Sequence, residues 1–285
     1  MKPPSHLLVQ HTPRLLAVRH SSAFTLLELL VAATVSMLLV CLLLMATRAI
    51  SANYTHTQAN ITRQGDAAFA LDQLIQDLEG YVVPNFAQGE ALKITPETVG
   101  AATNAIWLTL LSTATDADTS TPVDFTGATR AISYRMAFQN TIATNSPGTD
   151  PSFALYRSIS SAKNTFTNVT SSTTNMQVQY WPTAPTATTD IGNFLAENVV
   201  GFSVRFLYLD SSGAEKWTSS GDQIRIGRDG STVNGIPIPG SFLRAEATIT
   251  VLSPEGAQRV KDGVLSLKEA AARYGKTSVR QTAFF

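Results

Sequence analysis

Apolar and polar positions divide this chain into three parts with different periods. Residues 26–46 read LLELLVAATVSMLLVCLLLMA, a run whose one charge is Glu28. At 1.5 Å per residue it spans roughly 30 Å as a helix, about one hydrocarbon thickness. Further along, Leu71, Leu74, Ile75 and Leu78 recur at the i, i+3, i+4, i+7 spacing of one helix face. Gly80 is placed to cap that helix, and Pro84 follows it. An unbroken helix over 24–79 would be about 84 Å long. Gly65 offers a bend, and the polar, Thr- and Asn-rich stretch 51–60 offers a melted section.

Beyond Gly80 the period shortens. Segments at 105–113, 128–138, 152–160, 199–209 and 241–253 are apolar and aromatic, several with strict alternation, and predict strands. Asp210-Ser-Ser-Gly213 predicts a turn, as does GRDGSTVNG at 227–235. Strand follows strand, so antiparallel meanders are expected rather than βαβ units. The stretches 114–127 and 160–190, dense in Thr, Ser, Asn and Ala, read as long loops or weak hairpins. Residues 264–275 read as a short helix. The expected class is α+β, with a long N-terminal helix, apolar in one half and amphipathic in the other, packed on an antiparallel sheet.

Charge sharpens the first part. Lys+Arg and Asp+Glu both number 21, so the chain has no net charge and no global basic excess to recruit nucleic acid. Residues 1–23 nevertheless carry Lys2, Arg14 and Arg19 with no acid. That flank predicts a cytoplasmic N-terminus, with the chain after Arg48 outside. A secretory signal peptide has a shorter apolar stretch and a small-x-small cleavage site, and the LLLMATRAI flank is a poor one. A plain signal anchor accounts for the length but not for Glu28. A carboxylate there is costly, and no Lys or Arg lies between Arg19 and Arg48 to neutralise it. Its partner is expected to be a freed α-amino group or another chain.

The segment HSSAFTLLELLVAATVSMLLV resembles the N-terminal cleavage and methylation motif of type IV prepilins and type II secretion pseudopilins. The resemblance implies a cut between Ala23 and Phe24, N-methylation of Phe24, and Glu28 as the fifth mature residue, pairing with the N-terminal amine of a neighbouring subunit. The family usually has Gly where this chain has Ala23, which puts the efficiency of cleavage in question. RQGDAAFALDQLIQDLEGY and the segments ISYRMAF, FALYRSIS, LAENVVGFSVRFLYLDSSGAEKW and SFLRAEATITV resemble pseudopilin J in order. A narrower resemblance is to the prepilin-type cassette proteins of verrucomicrobial genomes. The division implied is a cleaved leader (1–23), a transmembrane and assembly helix (24–47), an amphipathic stem (48–80) and a periplasmic β-rich head (81–285). The implied partners are prepilin peptidase, other pilin or pseudopilin subunits and the inner membrane, with no nucleic acid expected.

Other chemistry is thin. Asp116, Asp118 and Asp124 are weak Ca²⁺ candidates, since acidic loops are usually only solvated and the spacing matches no EF-hand. Asp222 and Asp229 read the same way. The glycine-rich GRDGSTVNG lacks the Lys-Ser/Thr and the context of a P-loop. One cysteine, Cys41, excludes an intrachain disulfide and is expected to pack in the apolar run. His56 is expected on a solvent-facing stem position. Arg130, Arg135, Arg157, Arg205 and Arg244 fall on predicted strands, where they are expected to point outward. No acid–base–nucleophile set emerges, so no enzyme and no cofactor are expected. A membrane-anchored adhesin or ligand-binding protein that never assembles is the alternative reading.

Overall fold

A computed structural model describes residues 25–83, 90–102, 104–113, 129–139, 152–170, 176–177 and 193–284. Two compact units divide at Tyr54 and Thr55, and α1 (Leu26–Glu79) contributes to both.

The first unit is the apolar part of α1. Leu26–Tyr54 is long and apolar enough to cross a membrane, and none of it is buried within the chain. Residues 51–60 and Gly65 are helical, so no melted section interrupts α1 there. Hydroxyls that compete with a helix are turned back onto it instead: Thr47 donates to the Leu43 carbonyl (2.8 Å) and Thr62 to that of Gln58 (3.1 Å).

The second unit has two antiparallel sheets where the sequence predicts one. In the larger, β1 (Glu90–Glu97), β2 (Ala105–Ser112), β3 (Arg130–Gln139), β4 (Ser152–Ile159) and β5 (Phe194–Glu197) lie side by side in chain order. Three short strands extend it beyond β1: β8 (Ile224–Gly227), β9 (Gly230–Val233) and β10 (Ile236–Ile238). The smaller sheet pairs β12 (Gly275–Ala283), β11 (Phe242–Leu252), β6 (Val199–Leu209) and β7 (Glu215–Trp217) in that order. The chain crosses between the sheets at Asn198, which holds φ at +57°, a left-handed conformation that Asn tolerates better than most residues. Gly213, at φ +80°, closes the Asp210 turn, where the Asp210 carboxylate accepts from the Ser212 and Ala214 backbone N–H groups.

One apolar cluster joins these layers. Ala67, Ala70, Leu71, Leu74 and Leu78 of α1 enter it with Leu108, Leu110 and Tyr134 of the larger sheet and Phe202, Phe206, Ala247 and Ile249 of the smaller. Leu71 and Leu74 are fully buried, so the periodic stripe is the packed face of the stem. Each such side chain contributes about 1.5–3 kcal/mol relative to exposure. Every residue of β2 is buried, which accounts for its unalternating sequence: Leu108 and Leu110 face this cluster, and Trp107 and Leu111 face satellite clusters behind the sheet.

Several elements depart from the sequence reading. Residues 162–170 of the expected loop form a helical turn, α2 (Ala162–Asn164), continued by a π-helical turn and capped by the Ser161 hydroxyl. GRDGSTVNG contains two turns flanking β9 rather than one. The helix near 264–275 is α4 (Leu267–Tyr274), closed at its start by a reciprocal Ser266–Glu269 capping box. It is preceded by an unforeseen α3 (Pro254–Lys261), and the polar tail forms β12 along β11. Gly80 ends α1 without a left-handed φ: a β-carbon there would stand 2.6 Å from Ser112 Oγ, so close approach of β2 is what requires glycine.

Candidate functional site

The start of α1 concentrates the chemistry of the first unit. Thr25 precedes the helix and caps it: its hydroxyl accepts from the Glu28 backbone N–H (3.2 Å). In return, the Thr25 backbone N–H and hydroxyl each donate to Glu28 Oε2 at 3.1 Å. This is a capping box, T-x-x-E, in which side chain and backbone satisfy one another at a helix end. The expectation that the helix supplies no partner for Glu28 is therefore corrected. It supplies no cation, but Thr25 provides two donors, and the carboxylate also sits favourably in the first turn of the dipole. Among the described residues Oε1 accepts no hydrogen bond. Glu28 shares an open face with Leu27, Val31, Ala32, Val35 and Ser36, of which Ala32 and Ser36, four apart, are small enough to allow close approach of another helix. Ala23 and Phe24 lie outside the described residues.

In the second unit the stem is tied to the larger sheet by a buried polar group of three. Asp77, 1% exposed, accepts from Arg157 Nε and Nη2 at 2.8 Å each and from the Tyr134 hydroxyl. Arg157 Nε also lies 3.0 Å from the Tyr134 oxygen. Tyr134 and Arg157 are register partners on β3 and β4, so the sheet itself places the two donors side by side. Burial, then the Asp77 charge beside it, pushes the Tyr134 phenol well above its ordinary range.

Of the five strand arginines, Arg157 and Arg135 depart from the outward expectation, Arg205 and Arg244 are exposed as expected, and Arg130 is half-buried. Arg157 points into the stem interface, and Arg135 is 9% exposed, paired with Glu97 and stacked 4.1 Å above the Trp107 ring. Both are retained inside because each meets a carboxylate, which offsets the cost of desolvating the guanidinium. Arg205 lies over Trp217 and bonds Glu246, which also accepts from Gln281 (2.6 Å). The Arg205 bond holds the Glu246 carboxyl below the usual range.

Remaining candidates add little. Asp116, Asp118 and Asp124 lie outside the described residues. Asp222 is an internal turn residue, accepting from the Ser219 N–H (2.7 Å) and the Asn234 amide (2.8 Å). Among the described residues no group of three or more His, Cys, Asp or Glu side chains is placed to hold a metal. Cys41 is exposed on the apolar part of α1. The backbone at His56 is helical, and its side chain lies outside the description.

No family model matches the chain, and no curated protein or solved structure matches it. What stands is the class the coordinates define: an α+β protein with one apolar N-terminal helix that could span a membrane and antiparallel sheets packed on the continuation of that helix.

Proposed function

We propose that this chain is a prepilin-type structural subunit. Prepilin peptidase cuts it after Ala23 and methylates Phe24, and the mature protein assembles through α1 into a type II secretion pseudopilus or a type IV pilus-like filament. It starts as a single-pass inner-membrane protein, with Lys2, Arg14 and Arg19 on the cytoplasmic side and the two-sheet head in the periplasm.

One observation carries this reading. An acid sits at the head of a helix that is otherwise apolar and wholly exposed within the chain. At this helix end the carboxylate costs less than at the bilayer centre, where the cost is on the order of a few kcal/mol; a plain tether would use it only to cap the helix, whereas assembly also gives it an amine partner. The Thr25 capping box lowers that cost in the free subunit while leaving one oxygen for an incoming amine. Cleavage after Ala23 creates that amine one residue before Thr25, on every subunit.

Glu28→Gln separates charge from capping, because Gln at the third helical position keeps the return bond to the backbone. The variant is expected to insert and be processed normally, yet to be lost from sheared filaments or from cross-linked subunit ladders. Undiminished incorporation would turn the reading toward a tethered adhesin or ligand-binding head.

A further inference from the structure

A half-open cavity of about 60 Å³ has Arg63 and Gln64 of the stem, Ser253 just after β11, Tyr274 at the end of α4, and Lys276 and Ser278 of β12 in its lining, with apolar side chains making up the rest. Two are cations, and among the described residues no acid lines the cavity. Arg63 Nη1 is buried with no hydrogen-bond partner, and neither Arg63 nor Lys276 has an ion pair among the described residues. An unpaired buried guanidinium nitrogen carries its full desolvation cost, and a second cation at the same cavity adds repulsion.

The rest of this interface is neutralised. Alternate residues of β12 face the stem, and two of them find acids there: Thr282 donates to Glu79 (3.0 Å) and Arg280 to Asp72 (3.0 Å). Two and four residues back along the same strand face are Ser278 and Lys276, and there the stem offers Arg63 instead of an acid. Ser253 is the N-cap of α3, so the positive end of that helix adds to the same field. Its hydroxyl accepts from the Gly256 N–H (3.2 Å) and keeps its own proton to donate.

We propose that this cavity is a phosphate-binding site, in which Arg63 and Lys276 hold the charge and the Ser253 and Ser278 hydroxyls donate to the remaining oxygens. The space admits several water-sized groups, which suits one tetrahedral oxyanion. Guanidinium and ammonium groups pair with phosphate oxygens through short, charge-assisted bonds. The phosphate is either free or the headgroup of an anionic phospholipid, since Arg63 follows in sequence the apolar span that ends at Tyr54. This inference does not depend on filament assembly.

The test uses full-length protein in dodecyl maltoside, titrated with inorganic phosphate and followed by calorimetry and by the unfolding midpoint. Saturable one-site binding with a rising midpoint is expected. Arg63→Gln and Lys276→Gln should each weaken binding at least tenfold while leaving the phosphate-free midpoint equal or higher, because each relieves repulsion. A merely structural role for these side chains would lower that midpoint. In digalactosyldiacylglycerol nanodiscs phosphate should still bind. If it also binds in phosphatidylglycerol nanodiscs, free phosphate is the ligand; if those discs are silent and the two substitutions lower the midpoint only there, the lipid headgroup fills the site. No saturable binding in detergent and galactolipid, or binding that survives both substitutions, overturns the proposal.

Discussion

Asp77 of the stem and Arg157 of β4 meet through two 2.8 Å hydrogen bonds in the interior, eighty positions apart in the chain. That pair, with Tyr134 between, adds a directional contact to the buried leucine face of the stem where it packs on the larger sheet. Leucines alone would tolerate a modest turn of the helix, whereas a bidentate pair would not.

Breaking one side of this pair should therefore be costly. Asp77→Ala leaves a guanidinium buried with no carboxylate, and a loss of about 3–5 kcal/mol is expected. Replacing both, as Asp77→Leu with Arg157→Met, should recover part of it, since apolar residues of similar volume avoid the desolvation cost while the Tyr134 hydroxyl, left without partners, retains a cost of about 1–3 kcal/mol. Chemical unfolding of Asp77→Ala and of the double in detergent measures this; a double as unstable as Asp77→Ala would argue against the pair as the cause.

The Tyr134 phenol predicts an alkaline limit. Burial and the Asp77 charge raise its folded pKa, so the neutral form is favoured in the folded state. Its contribution is complete below the ordinary tyrosine value of about 10 and is lost as pH rises through the folded value. Burial raises Tyr81 as well. The unfolding midpoint should stay level from neutrality to about pH 9 and fall beyond 10. Tyr134→Phe should cost about 1–2 kcal/mol at neutral pH and make the alkaline fall shallower.

Gly80 offers a sharper steric test. A β-carbon there would meet Ser112 Oγ at 2.6 Å and Thr113 Oγ1 at 3.0 Å. Gly80→Ala should destabilise by about 1–3 kcal/mol. Among the described residues the buried Ser112 hydroxyl has no partner, so Ser112→Ala alone should be neutral or mildly stabilising, and should rescue Gly80→Ala. Absence of rescue would mean that backbone conformation, not contact with β2, dictates glycine.

Much of this architecture was legible in the residues. The 3.6-residue recurrence of Leu71, Leu74 and Leu78 marks a packed face, and the five long apolar strand segments all became strands. Short strands were not legible. β7, β9 and β10 have three or four residues each, too few to show a period, and β12 is almost wholly polar because it lies at a sheet edge with most of its side chains exposed. The second sheet was not legible because alternation marks a strand but not the sheet it joins: β5 ends at Glu197 in the larger sheet, and β6 starts at Val199 in the smaller. At the site, Glu28 stood out as an anomaly of charge. Its Thr25 partner was visible too, as the first letter of T-x-x-E, a helix-start signal overshadowed by the apolar run that follows. The Asp77–Tyr134–Arg157 group could not be read from sequence, since its members come together only when β3 and β4 pair and the stem docks.

The account turns on what happens to the segment before Thr25. Intact-mass and peptide mass spectrometry of the protein purified from its own membrane fraction reads this directly. The account predicts a mature chain that begins at N-methylated Phe24, with residues 1–23 gone and Glu28 fifth. A chain that still begins at Met1, or one cut near Arg48 on the far side of the apolar helix, would contradict it.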